Sequence, residues 1–181
     1  MRKSREEAAR TRERIVTAAA GEFRKHGVVA TGLNDLMKAA GLTHGGFYKH
    51  FESKDQLVAE ACAEAVRALI EKMSAAGQGA GAVYLSTGHR DNPAAGCPLA
   101  AIGSELSRGD EKTRVVATDG FLQLVEIMAG QFGEIPPEVA RRRALVAVST
   151  MIGALTMSRI VTDPGLSGEI LRSAEESMAP G

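Results

Sequence analysis

The chain has no tryptophan, and aromatic residues make up only 4% of its 181 positions. Its core must therefore be filled by Ala, Leu, Val, Ile and seven methionines. Cysteine is scarce as well, with Cys62 and Cys97 alone. Two thiols cannot build a disulfide framework and they lack metal-ligand spacing, so a reducing cytoplasm is expected, with no metal and no cofactor. Net charge is also missing, because 22 Lys and Arg balance 22 Asp and Glu. The longest apolar run that is poor in glycine, Ala144 to Ser158, lies between Arg143 and Arg159. It falls short of the ~20 residues a membrane helix needs, which predicts a buried helix. The opening MRKSREEAARTRERI has no apolar stretch behind its charges, so no secretory signal is expected. What remains is ordinary globular material, 44% apolar and 24% charged.

Strand-like alternation with hairpin punctuation is absent, and helical spacing recurs, which predicts an all-α fold. Ser4 and Glu7 fit a capping box ahead of an apolar face at Ile15, Ala19 and Phe23, and Gly27 ends that helix. A short helix follows over 31–40, closed by Gly41, and Thr43 can cap a very short third helix ending near His50. Ser53 and Gln56 form a second capping box. The long helix they open reaches about Ala76, with Val58, Cys62, Ala65 or Val66, Leu69 and Met73 on one stripe. Gly77 to Gly81 reads as a flexible joint. Further helices are expected near 82–88, 97–107, 110–132, 137–161 and 164–178, with a loop at Asp91-Asn92-Pro93. Pro137 and Pro164 mark helix starts, since a first-turn proline loses no bond.

Charge is unevenly spread. Residues 1–50 carry ten Lys and Arg against five Asp and Glu, and the remainder is correspondingly acidic. Such asymmetry fits either a polyanion-binding head on a body that is not one, or basic faces that are merely solvated. The stretch Leu33 to Phe51, LNDLMKAAGLTHGGFYKHF, is more specific. Two short helices around a tight turn at Gly41 have the helix-turn-helix layout. Gly45 and Gly46 each weaken the second helix by roughly 0.8–1 kcal/mol relative to alanine. That penalty suits a backbone that must approach something closely. His44, Tyr48, Lys49 and His50 offer groups that reach base edges and phosphates.

Over residues 10–60 the chain resembles the TetR-type transcriptional regulators. The resemblance is carried by Arg14-Ile15, Ala18-Ala19, Phe23, Gly27, Thr31, Leu36-Met37, Ala39-Ala40-Gly41, Gly45 through Phe51, and Ser53 through Leu57. It implies a helix-turn-helix DNA-binding domain over 1–52 and a helical ligand-binding and dimerisation domain over 53–181. It further implies that Thr43, His44, Gly45 and Gly46 face bases. Tyr48 and His50 would meet phosphates, and Lys49 a base or a phosphate. Thr31 and Lys54 would hold phosphate at helix starts. Phe47 and Phe51 read as core pegs. The body resembles the family in layout and in one phrase, Gly96-Cys97-Pro98-Leu99-Ala100, shared with a subset of these regulators. It departs from the pattern over 77–88, where the fifth helix is one or two turns short.

In the body, Met73, Tyr84, Cys97, Leu99, Ile102, Leu106, Phe121, Leu124, Met128 and Met151 are candidates to line a pocket for a small, mainly apolar effector, or simply to form the core. Cys97, near a helix N-terminus, reads either as a reactive thiolate sensor or as a small buried residue. A Cys97–His89 nucleophile pair is the enzyme alternative. No orienting third group accompanies it, so no enzyme is expected. Helices near 137–161 and 164–178 suit a homodimer interface across a two-fold axis. The reading is a DNA-binding regulator, most simply a ligand-released repressor acting as a homodimer on a palindromic operator. A constitutive DNA-binding protein without effector is the runner-up.

Overall fold

The structure is a computed structural model describing residues 2–178, with side chains from Arg5 onward. Every regular element among the described residues is helical. Helix α1, Arg2–His26, is already under way at Arg2, so Ser4 is not at its N-cap, and the Ser4 side chain lies outside the described residues. Gly27 follows with φ +87°. Helix α2, Leu33–Ala39, starts from Gly32 rather than from Thr31. Gly41, at φ +68°, makes the left-handed turn that a side chain would strain. The next element, His44–Lys49, is a 3-10 helix, and Thr43 occupies its N-cap position without a side-chain cap bond. Two adjacent glycines and a six-residue length give too few i→i+4 bonds to sustain an α-helix there.

Helix α3, Lys54–Ala76, is capped as expected, Ser53 Oγ accepting from Gln56 N–H at 3.0 Å. The reciprocal bond is offset by one residue, since Gln56 Oε1 accepts from Glu52 N–H at 2.8 Å. The glycine joint is a 3-10 turn, Gly77–Gly79, leading into the fully buried Ala80. The single helix expected near 82–88 is two one-turn helices, α4, Ala80–Tyr84, and α5, Thr87–Asp91. Asp91 ends α5 instead of opening a loop, and Pro93–Ala95 is a 3-10 turn. Then come α6, Pro98–Leu106, kinked at Ile102, and α7, Glu111–Ala129. The last two are α8, Pro137–Ile160, and α9, Pro164–Ser177, both with proline in the first turn.

Two cores result. The lower one gathers Ile15, Phe23, Leu36, Phe47, Phe51 and the first half of α3, joined by Ile102 and Leu106 of α6. The upper one holds Met73, Tyr84, Cys97, Leu124, Met128, Met151 and Leu155. Helix α3 belongs to both, with Leu57 to Val66 below and Leu69 and Met73 above. Helix α8 is long and apolar enough to cross a bilayer by length and composition alone. It is not the wholly buried helix its sequence predicts. Ala144, Val148, Met151 and Leu155 face the core, whereas Val146, Met157 and Ile160 stand in solvent. Leu166 extends that apolar stripe onto α9.

Candidate nucleic-acid interface

The exposed ridge of the head is built on one buried ring. Phe47 has no exposed surface, stacks on Phe51 at 5.5 Å, and meets Tyr48 edge-on at 5.1 Å. Arg12 lies 4.6 Å from the centre of the Phe51 ring, and its Nε donates to the His50 carbonyl at 3.3 Å. Helix α1 thus pins the far end of the 3-10 segment. Its near end presses on α2, where a Cβ on Gly46 would lie 3.4 Å from Met37 Cε. With the segment anchored on its inner side, Thr43, His44, Gly45, Tyr48 and Lys49 are exposed, and His50 is half-buried. Tyr48 leaves 69% of its surface open. Nothing lies within 4 Å of a Cβ placed on Gly45, so the backbone itself is open to an approaching surface. Residues 43–50 include no acidic side chain, and their hydroxyl, imidazole, phenol and ammonium groups suit phosphate and base-edge contacts.

Two of the residues expected to hold phosphate face the protein instead. Thr31 is buried, and its Oγ1 donates to the Gly27 carbonyl at 2.6 Å. Lys54 Nζ donates to the carbonyls of Val28 and Thr31 at 2.6 and 2.7 Å. The carbonyls of the loop between α1 and α2 need donors, and these two side chains supply them. A second grip on the same turn comes from the body. The Glu105 carboxylate accepts from Val28 N–H at 3.0 Å and from Val29 N–H at 2.8 Å. Ahead of α6, Arg24 of α1 donates to the Ala94 carbonyl in the 3-10 turn. Head and body are therefore tied near the end of α6 and just before its start.

Comparison with known proteins agrees with this architecture. Residues 15–61 match a family profile described as bacterial regulatory proteins of the tetR family. Residues 58–174 match the C-terminal domain of the LmrA/YxaF-like transcriptional regulators, which is more than half of the chain. The chain belongs to the TetR family of transcriptional regulators. It is 33% identical to the HTH-type transcriptional regulator Rv0196 of Mycobacterium tuberculosis, over 84% of this chain and 86% of that one. A probable acrEF/envCD operon repressor of Escherichia coli is 38% identical over 78 residues, covering 42% of this chain and 36% of that one. A TetR transcriptional regulator from Chloroflexus aurantiacus superposes with a TM-score of 0.78 at 29% identity, covering 98% of this chain and 94% of that one. This TetR-family member is thus a DNA-binding transcriptional regulator with a helix-turn-helix head on a helical body.

The body of this regulator divides the expected pocket residues. Met73, Tyr84, Cys97, Leu124, Met128 and Met151 are closed into the upper core, each at most 3% exposed. Ile102 faces the lower core at the α6 kink. Leu99, Leu106 and Phe121 border an open groove of about 440 Å³ between α6, α7 and α8, beside Arg114 and Ile152. Cys97 and His89 do meet, but not as nucleophile and base. His89 Nε2 accepts from the Cys97 backbone N–H at 2.8 Å, and Nδ1–H donates to the Tyr84 carbonyl at 2.7 Å. Both ring nitrogens are committed to backbone, and the ring is neutral. Burial, reinforced by the nearby Arg159, lowers the His89 pKa to about 4. Burial also raises the pKa of Cys97, and that of Cys62 to about 12. The thiolate expected at Cys97 is therefore disfavoured, because desolvation outweighs the support a thiolate would draw from the Tyr84 hydroxyl and from backbone N–H groups.

The His89 latch explains Gly96, where a Cβ would sit 2.6 Å from the imidazole. Sequence reasoning missed the head–body ties of Glu105 and Arg24. One signal was available: Glu105 is the single charge in the helix PLAAIGSEL.

Proposed function

We propose that this regulator is a cytoplasmic, ligand-released repressor that binds a palindromic operator as a homodimer. It has no catalytic role, with a DNA-binding head over 1–52 and an effector-binding and dimerisation body over 53–181. The reading rests on the open ridge anchored by Phe47. Thr43, His44, Gly45 and Gly46 address base edges, and Tyr48, Lys49 and His50 address phosphates or the outermost base. Thr31 and Lys54 take no part in phosphate contact, because both side chains are spent on the 27–31 turn. The exposed stripe of Val146, Met157, Ile160 and Leu166 supports self-association through α8 and α9, since a two-fold axis would bury it against itself. In that dimer the two ridges lie roughly 34–36 Å apart, one helical turn of DNA.

The test is fluorescence anisotropy with DNA from upstream of the protein's own gene, in excess nonspecific competitor. Saturable binding at two chains per duplex is expected, and Tyr48→Ala should abolish it while shifting Tm little, because Tyr48 is mostly exposed. Retained operator binding by Tyr48→Ala would contradict the assignment of the ridge. A regulator without an effector is favoured by one observation, the closed packing around Met73 and Met151. It differs in that no small molecule would change the anisotropy.

A further inference from the structure

Two buried polar atoms of the body, the Tyr84 hydroxyl and Arg159 Nη1, have no hydrogen-bond partner, although the Cys97 thiol lies beside the Tyr84 hydroxyl. Tyr84 has no exposed surface and packs in the same cluster as Met73, Leu124, Met128 and Met151. The rest of the Arg159 guanidinium is committed. Its Nε donates to the Arg90 carbonyl at 3.0 Å and its Nη2 to the His89 carbonyl at 2.7 Å. Those bonds fix the guanidinium plane and leave Nη1 as a spare, buried corner. Arg159 takes part in none of the ion pairs among the described residues. Asp91, the carboxylate whose field reaches it, is engaged by Arg90 at 2.7 Å. Burial disfavours the Arg159 charge, and its electrostatic neighbours are Tyr84 and the Cys97 thiol.

Unpaired buried donors are costly, and a half-buried cation without an ion-pair partner adds to that cost. What the site lacks is an acceptor, and the cation makes an anionic one the better match. The surrounding side chains are apolar, and methionines can repack around a guest. We propose that this is the polar end of the effector site and that the effector is an apolar monocarboxylate. One carboxylate oxygen accepts from Tyr84 Oη, the other accepts from Arg159 Nη1, and the hydrocarbon body displaces part of the packing of Met73, Met128 and Met151. A neutral alcohol leaves the guanidinium uncompensated, and a phosphate ester brings more charge than one free Nη1 and one phenol can meet. The proposal rests on the reading of the body as effector-responsive.

Occupation of this site has a route to the head. Tyr84 O accepts from His89, and His89 holds the Cys97 N–H at the start of α6. The head is tied through Arg24 just before that start and through Glu105 near the end of α6. A displaced Tyr84 therefore pulls on the helix to which the head is tied.

In the test, the full-length protein is titrated with straight-chain carboxylates from butyrate to dodecanoate and with benzoate, each beside its matched primary alcohol. Calorimetry and thermal shift follow binding. At least one carboxylate should bind about tenfold more tightly than its alcohol, equivalent to about 1.4 kcal/mol. That carboxylate should also weaken operator binding. Tyr84→Phe keeps the ring and deletes only the unpaired hydroxyl. Its Tm should be unchanged or higher, while its carboxylate affinity falls about fivefold or more, a modest hydrogen-bond loss. Arg159→Gln should erase the preference for carboxylate over alcohol. The proposal is overturned if no carboxylate in the series binds, if acid and alcohol bind equally, if Tyr84→Phe binds as tightly as wild type, or if the bound carboxylate leaves operator affinity unchanged. Operator anisotropy on the unliganded protein separates the two ideas. Operator binding without carboxylate binding overturns the effector class alone, whereas absent operator binding overturns the regulator reading itself.

Discussion

The two cores share one helix and differ in what fills them. Below, the rings of Phe23, Phe47 and Phe51 are buried, and cations from Arg12 and Lys54 lie over two of them. Above, the one fully buried aromatic ring is Tyr84, and Met73, Met128 and Met151 take the space. Rigid rings hold a surface in one geometry, which suits a ridge that must match a groove. Unbranched thioethers adapt to changing shape, which suits a body that must rearrange. In a chain with so few aromatics, placing three of its five phenylalanines under the ridge is a division of labour.

The difference between the cores is tested most strongly by emptying the lower one. Phe47→Ala should destabilise the chain by about 3–5 kcal/mol in urea unfolding and flatten the ridge. A loss under about 1.5 kcal/mol would mean the lower core is as forgiving as the upper. Acid probes the upper core next. His89 takes a proton near 6.5 when unfolded but only near 4 when folded, so the unfolded state binds more protons between those values. Stability is complete above about pH 6.5 and falls toward pH 4, by about 3 kcal/mol in total. His89→Gln should remove that dependence, read as the difference between its unfolding free energies across the window and those of wild type. At the seam, Glu105→Ala should cost about 1–2 kcal/mol and speed exchange of the Val28 and Val29 amides while leaving the ridge side chains in place. The smallest effect is expected from Met151→Leu, under about 1.5 kcal/mol, because a soft core accepts a swap of similar volume.

Much of the fold is legible one turn at a time. Ser53, Asp163, Pro137 and Pro164 mark helix starts through bonds made or not made within three residues. Gly41 marks the turn through its own backbone angle. The ridge was legible for a similar reason, as Phe47 and Tyr48 are neighbours in sequence with opposite fates. The roles of Thr31 and Lys54 were not, because the carbonyls that claim them belong to the loop between α1 and α2, whose shape only the packed fold sets. Nor was the fate of Cys97: proximity to a helix start argued for a thiolate, and complete burial decided against it.

The sequence on its own determined an all-helical chain, the position of most of its breaks and the exposed segment 43–50 seated on Phe47, since caps, prolines, glycines and apolar periodicity act within a few residues. Tertiary structure alone decided that the head is tied to α6 and to the 3-10 turn ahead of it, that both His89 ring nitrogens serve backbone, and that Tyr84 and Arg159 each bury a polar atom without a partner. Those outcomes depend on which distant groups meet, and a bond between residues 28 and 105 leaves no periodic trace along the chain.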